Sequence, residues 1–184
     1  MSMDLTYWKD QARGAGFSEV AALKMETLVV NPEVRKMCAA NACGQYGKNW
    51  ACPPGCGDLE ECASALLACD CGLIVQTVAQ LEDSFDFEGM AAAGSTHWEN
   101  FSRLRSQIQE NTEKAGDVLA LAAGSCTHCK TCAYPDAPCR FPEAAASSVE
   151  AYGLLVNQLC VDNGLAYNYG EHTIAYTALF LFKG

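Results

Sequence analysis

Thr173–Phe182 reads TIAYTALFLF, the longest apolar stretch of the chain, and its β-branched and aromatic content makes it a buried strand. Gly72–Leu81, GLIVQTVAQL, reads the same way. Working outward from these two, Glu82–Glu88 is an acidic connection, and Met90, Trp98, Phe101, Leu104 and Ile108 trace a long helix. Asp117–Ala123 is a further core strand, or the end of a helix continuing from Gly116. Upstream, Leu5, Trp8 and Ala12 mark one face of a first helix ended by Gly14 and Gly16. Val20–Val30 reads as a strand broken at Asn31-Pro32. Asp58 with Glu61 is a capping box for a helix whose apolar face is Leu59, Cys62, Ala63, Leu66 and Cys69. Downstream, a helix carries Val149, Tyr152, Val156, Leu159 and Cys160 and stops at Gly164. Leu165–Tyr169 and Thr173–Phe182, joined through Gly170-Glu171, form a closing hairpin.

The order α-β-loop-α-β-α-β-loop-α-β-β predicts one α/β (α+β) domain over residues 1–184, a mixed β-sheet flanked by helices. Two cysteine-rich loops, at about 34–57 and 124–142, each leave a strand and feed a helix. If the intervening strands are neighbours, both loops emerge on one edge of the sheet, with their sites close together.

Those loops hold eight of the twelve cysteines. Cys38, Cys43, Cys52 and Cys56 run C-x4-C-x8-C-x3-C, and Cys126, Cys129, Cys132 and Cys139 run C-x2-C-x2-C-x6-C. Four thiolates in a short loop bind zinc or an iron–sulfur cluster. The compartment decides between metal and disulfides. Met1–Asp10 carries acidic and aromatic residues where a secretory signal needs an apolar run, and no segment approaches the roughly 18 apolar residues of a membrane span. A reducing cytoplasm is the expectation, and thiols there stay free for metal. Half the residues are apolar, as in a globular chain. The net charge of −10 argues against nucleic acid, because Arg103 and Arg105 are the only tight basic pair. An acidic surface keeps the chain soluble and can orient a basic redox partner.

The second loop is the tighter. Cys126, Cys129 and Cys132 have the spacing that wraps three corners of a [4Fe–4S] cube, and Cys139 supplies the fourth after Tyr134-Pro135-Asp136-Ala137-Pro138. Its gap before the last cysteine is longer than in bacterial ferredoxins, and Pro142 follows Cys139 by three residues rather than directly. In the first loop Gly44, Gly47, Gly55 and Gly57 allow close backbone approach, and Tyr46 and Trp50 either shield a cluster or pack on the core. Iron–sulfur is preferred to zinc in both loops, more strongly in the second. Cys56 or Cys139 can serve the other loop's cluster, so set membership stays open.

Four cysteines remain. Cys62, Cys69 and Cys160 lie on apolar helix faces and read as core thiols, while Cys71 near a strand start is core or a spare ligand. His128 lies inside the second motif, where it donates to a sulfide, replaces a thiolate or, as favoured, is simply an exposed loop residue. His97 and His172 show no partner in sequence.

The segments CGQYGKNWACPPGCGDLEEC (Cys43–Cys62), LEDSFDFEGM (Leu81–Met90) and CTHCKTCAYPDAPCRFPEAAASSVEAYGLL (Cys126–Leu155) together resemble the domain of unknown function 2284 family of predicted metal-binding proteins. The resemblance implies cysteine-ligated metal, iron–sulfur in preference to zinc, in cytoplasmic proteins of largely anaerobic prokaryotes, and carries no established reaction. Asp83, Asp86 and Glu88 in the second segment line a ligand or partner site, or form a solvated loop, the safer reading.

Three functions remain open. The first is an electron-transfer or redox accessory protein with two [4Fe–4S] clusters and a redox partner protein. The second is an enzyme whose three-thiolate cluster binds a small-molecule substrate at an open iron, with the first loop the better candidate. The third is a structural module with zinc in one or both loops. No GxGxxG or Walker loop occurs, so no flavin or nicotinamide site of those kinds is predicted. No membrane partner is expected, and sequence leaves the oligomeric state undefined.

Overall fold

The computed structural model describes residues 3–111 and 117–183. Its centre is a pair of ten-residue strands, β2 (Cys71–Gln80) and β4 (Thr173–Phe182), antiparallel and in register from Cys71 opposite Phe182 to Gln80 opposite Thr173. Two four-residue edge strands, β1 (Glu19–Ala22) and β3 (Val118–Leu121), complete the order β1-β2-β4-β3. Every strand pairing is antiparallel, and the parallel element is an isolated bridge between Ala122 and Ser148. The protein is therefore α+β. The alternative helix running on from Gly116 begins outside the described residues.

Alternation along the central strands assigns the two faces. Leu73 and Val75 of β2, with Ala178, Phe180 and Phe182 of β4, face helices α1 (Leu5–Ala15) and α4 (Phe87–Glu110). Trp8, Ala12, Phe101, Leu104 and Ile108 of those helices complete that core, so the predicted faces of both helices are the buried ones. Full burial contributes about 2 kcal/mol for each of Phe180 and Phe182. Ile74, Leu179 and Leu181 face the opposite layer, against Leu66 and Cys69 near the end of α3 (Leu59–Leu67) and Leu159 and Cys160 of α5 (Val156–Asp162). No helix among the described residues is long and apolar enough to cross a membrane.

Four elements depart from the sequence reading. The expected strand Val20–Val30 ends at Ala22, because Asn163 Oδ1 takes the Lys24 N–H at 2.7 Å and a 3₁₀ turn follows at Met25–Thr27. Asn31-Pro32 then starts a helix, α2 (Pro32–Ala39), with Asn31 Oδ1 accepting from the Glu33 N–H and proline in the first turn. The single helix expected through Val149–Cys160 is two pieces, a 3₁₀ turn at Glu150–Tyr152 and α5, divided by Gly153 at φ 76°. A Cβ at Gly153 would sit 2.9 Å from Leu59 and 3.0 Å from Val30, so the break lets three segments meet. Finally, Leu165–Tyr169 forms no strand. Both edges of β4 are taken by β2 and β3, and the segment is tied to the sheet by Gln76, which donates to the Ala166 carbonyl and accepts from Tyr169 Oη.

Candidate metal centre

β1 and β3 are opposite edges of the sheet, so the strands feeding the two cysteine loops are not neighbours. The loops meet nonetheless, through one clip. Ala122 donates to the Ser147 carbonyl at 2.8 Å and accepts from Val149 at 3.1 Å, which closes the second loop at its base. Asn31 donates to the Gly153 carbonyl at 2.8 Å, and Val30 and Leu59, flanking the first loop, pack on Gly153. Residues 147–153 thus anchor both loops.

From that base the loops pack on each other. Trp50 Nε1 donates to the Ala137 carbonyl at 3.0 Å, and its ring meets Tyr134 edge-on at 4.8 Å. A Cβ on Gly55 would lie 2.6 Å from the Asn49 carbonyl oxygen and 3.0 Å from Tyr134, so glycine is what permits the approach. Trp50 is therefore the joint between the loops rather than part of the main core. The two cis peptide bonds, Pro53–Pro54 and Tyr134–Pro135, lie one in each loop.

In the second loop all four predicted thiols, Cys126, Cys129, Cys132 and Cys139, line one small cavity of about 30 Å³. Trp50, Ala51, His128, Phe141 and Ala145 close it. His128 is exposed and packs edge-on against Phe141 at 4.7 Å. In the first loop Cys38, near the end of α2, joins Cys43 and Cys52 around an adjoining cavity of about 500 Å³ that also borders Tyr46, Gly124, Ser125 and Glu150. Burial pushes the Cys38 thiol up, with the Glu150 carboxylate adding to the effect. Burial also raises Cys52, against a hydrogen bond with Asn49, and Cys52 lies within the field of Cys126 across the boundary between loops.

Cys56, the fourth cysteine of the first set, is placed differently. Its Sγ lies 4.0 Å from the Ala151 carbonyl oxygen, and Cys62, which sits on α3, donates its thiol to the Cys56 carbonyl at 3.8 Å. Arg35 of α2 donates from Nη2 to Cys62 Sγ at 3.3 Å and from Nη1 to the Gly57 carbonyl at 2.9 Å. The nearby Cys56 and the Arg35 charge hold the Cys62 thiol down despite its burial, while the proximity of Cys62 and burial drive Cys56 up. Cys62 is thus a polar neighbour of the site, which its helix-face spacing did not reveal; only the contact with Arg35, 27 residues earlier, identifies it. Cys69, Cys71 and Cys160 have core surroundings. Cys69 Sγ donates to its own helix at the Ala65 carbonyl, Cys160 lies against Gln76 and Thr177, and Cys71 packs beside the α1–α4 core.

The donor set suits a cysteine-bound metal group, since all eight predicted ligands are free thiols and seven line the two adjoining cavities. Among the described residues no three His, Cys, Asp or Glu side chains converge as ligands of a single ion. A tetrahedral zinc site with Zn–S bonds near 2.3 Å brings its sulfurs to about 3.8 Å from one another.

A larger groove of about 730 Å³ runs between α4 and the start of the second loop, lined by Arg103, Arg105, His128, Glu99 and Glu143 among others. Its charges are mixed, and both arginines are engaged, Arg103 with the Ala15 carbonyl and Arg105 with the Ala145 carbonyl, each at 2.7 Å. The acidic run has a structural role. Asp86 caps α4 through the Gly89 N–H at 2.8 Å, and Asp83 accepts from the Phe85 N–H at 2.7 Å.

The fold and its paired loops define a cysteine-rich α+β protein with two adjoining thiol-lined centres. The sequence model of the DUF2284 family, described as "Predicted metal-binding protein", matches residues 21–182, and the chain belongs to that family. No curated protein matches the chain. No solved structure matches it either.

Proposed function

We propose that this protein binds two [4Fe–4S] clusters, one per cysteine loop, and passes single electrons to a redox partner protein or serves a redox accessory role in the cytoplasm. The observation that carries the reading is the second loop, whose four free thiols line one small cavity. Cys126, Cys129, Cys132 and Cys139 are its ligands, and Cys38, Cys43 and Cys52, which line the adjoining cavity, hold the first loop's cluster. When bound, such a cluster takes up and releases one electron. The chain's contribution is to hold the centres side by side and limit water. Trp50 and Phe141 wall the second cavity, and Trp50 fixes the distance between loops through its bond to Ala137. The acid-rich composition, −10 overall, favours a partner with a basic docking face. The C-x2-C-x2-C spacing of Cys126, Cys129 and Cys132 favours a cube over zinc.

Anaerobic purification, with iron, sulfide and zinc analysis and a visible spectrum on one sample, tests this. About eight irons and eight sulfides per chain, and reduction by dithionite, are expected for two cubes. Stoichiometric zinc without absorption near 400 nm would replace the redox reading with a structural one.

A further inference from the structure

The first cavity holds three of its loop's four cysteines, and the fourth is committed elsewhere. Cys38, Cys43 and Cys52 border it, and Cys56 does not. Cys56 Sγ lies instead 4.0 Å from the Ala151 carbonyl oxygen, Cys62 Sγ donates to the Cys56 carbonyl at 3.8 Å, and this stretch is held from two sides. Arg35 grips Cys62 Sγ and the Gly57 carbonyl. The capping box of Asp58 and Glu61, bonded both ways at 2.8 Å, fixes the chain directly after Cys56-Gly57.

Glu150, an exposed residue, lines the same cavity as Cys38. It is the one carboxylate among the residues that line this space, whose walls combine apolar surface from Val34, Met37 and Pro53 with the polar side chains of Gln45, Ser125 and Ser148. A volume of about 500 Å³ is that of a small-molecule site. Such walls with a single carboxylate suit a compact neutral molecule that gives iron an oxygen or nitrogen donor and gives Glu150 a hydroxyl or N–H proton to accept.

We infer that the first loop holds its cluster through three thiolates, Cys38, Cys43 and Cys52, and leaves a fourth iron position open to a small oxygen- or nitrogen-donor ligand beside Glu150. This deepens the iron–sulfur reading above and rests on it. Cys56 stays outside that set, with its carbonyl bound by Cys62. The two centres then differ in kind, the second closed by four thiolates and the first able to accept a ligand, as a metal with an open coordination position does.

The test uses the full chain, purified anaerobically as wild type, Cys56→Ser, Cys43→Ser and Glu150→Ala. Iron is counted, and the EPR of the dithionite-reduced proteins is recorded with and without imidazole, a small nitrogen donor. Cys56→Ser is expected to keep about eight irons while Cys43→Ser falls to about four, one cube lost. Imidazole is expected to shift one of two cluster signals in wild type and Cys56→Ser, with a weaker effect in Glu150→Ala. Loss of four irons in Cys56→Ser, matching Cys43→Ser, overturns the inference, as do signals that imidazole leaves unchanged. In either case wild type still holds eight irons and the iron–sulfur reading stands. A wild type without iron takes both down together. The second loop's four irons report folding within each variant, and if Cys56→Ser does not fold, the imidazole titration of wild type decides alone.

Discussion

His97 lies on α4 with its ring fully buried, its Nδ1 paired with the Thr77 hydroxyl at 3.0 Å and its Nε2 without a hydrogen-bond partner. Its neighbours are Asn100, which donates to the same hydroxyl, and the rings of Phe17 and Tyr176, and none of these stabilises a positive imidazole by charge. Burial accordingly pushes its pKa down to about 4. The folded value is below the unfolded one, so the unfolded chain takes up a proton in a range where the native protein does not. His97's contribution is therefore complete above about pH 6.5 and declines as pH falls, by roughly 3 kcal/mol at pH 4. Urea unfolding of wild type and His97→Phe between pH 7 and 4 checks this. The stability difference between them should move in the variant's favour as pH falls, by an amount of that order, and parallel curves would refute the assignment.

The same separation of local from distant causes governs the elements. α3 begins because Asp58 and Glu61 satisfy each other's backbone N–H groups, an arrangement complete within four consecutive residues. Asp58→Ala should cost about 1 kcal/mol in urea unfolding, with β-sheet content unchanged. Such features are legible in sequence because the residues that make them are adjacent or periodic. The capping box, the buried face of α1 and the alternation of β2 and β4 are all of this kind. The end of β1 is not, since it is set by Asn163, 139 residues from the Lys24 N–H it captures. The Gly153 break is likewise set by Val30 and Leu59, which approach from other parts of the chain. The cysteine spacings point to two centres, and seven of the eight thiols line two adjoining cavities. The surroundings of Cys56 are not legible in spacing, because Cys62 and Arg35 sit on two different helices.

Across the whole molecule, the sheet and the loops are stabilised by different means. β2 and β4 are joined over their full ten-residue register and covered on both faces by apolar side chains. The loops have little such support. Past Ala39 the first contains no helix or strand before Leu59, and residues 124–142 contain none, so their shape depends on turns, the clip at 147–153 and the contacts of Trp50. Metal bound by cysteines in these loops would supply what packing does not, and its binding energy would appear as local stability. The consequence is a stability that is uneven and metal-linked. Amide hydrogen exchange before and after anaerobic chelation should show loop amides such as Gly47 and Cys56 losing protection, while Leu73–Val75 and Leu179–Leu181 keep theirs. Uniform loss across sheet and loops would mean that the metal supports the whole fold. Unchanged loops would mean that their hydrogen bonds, led by Gly47 to the Pro53 carbonyl at 2.8 Å, are sufficient without it.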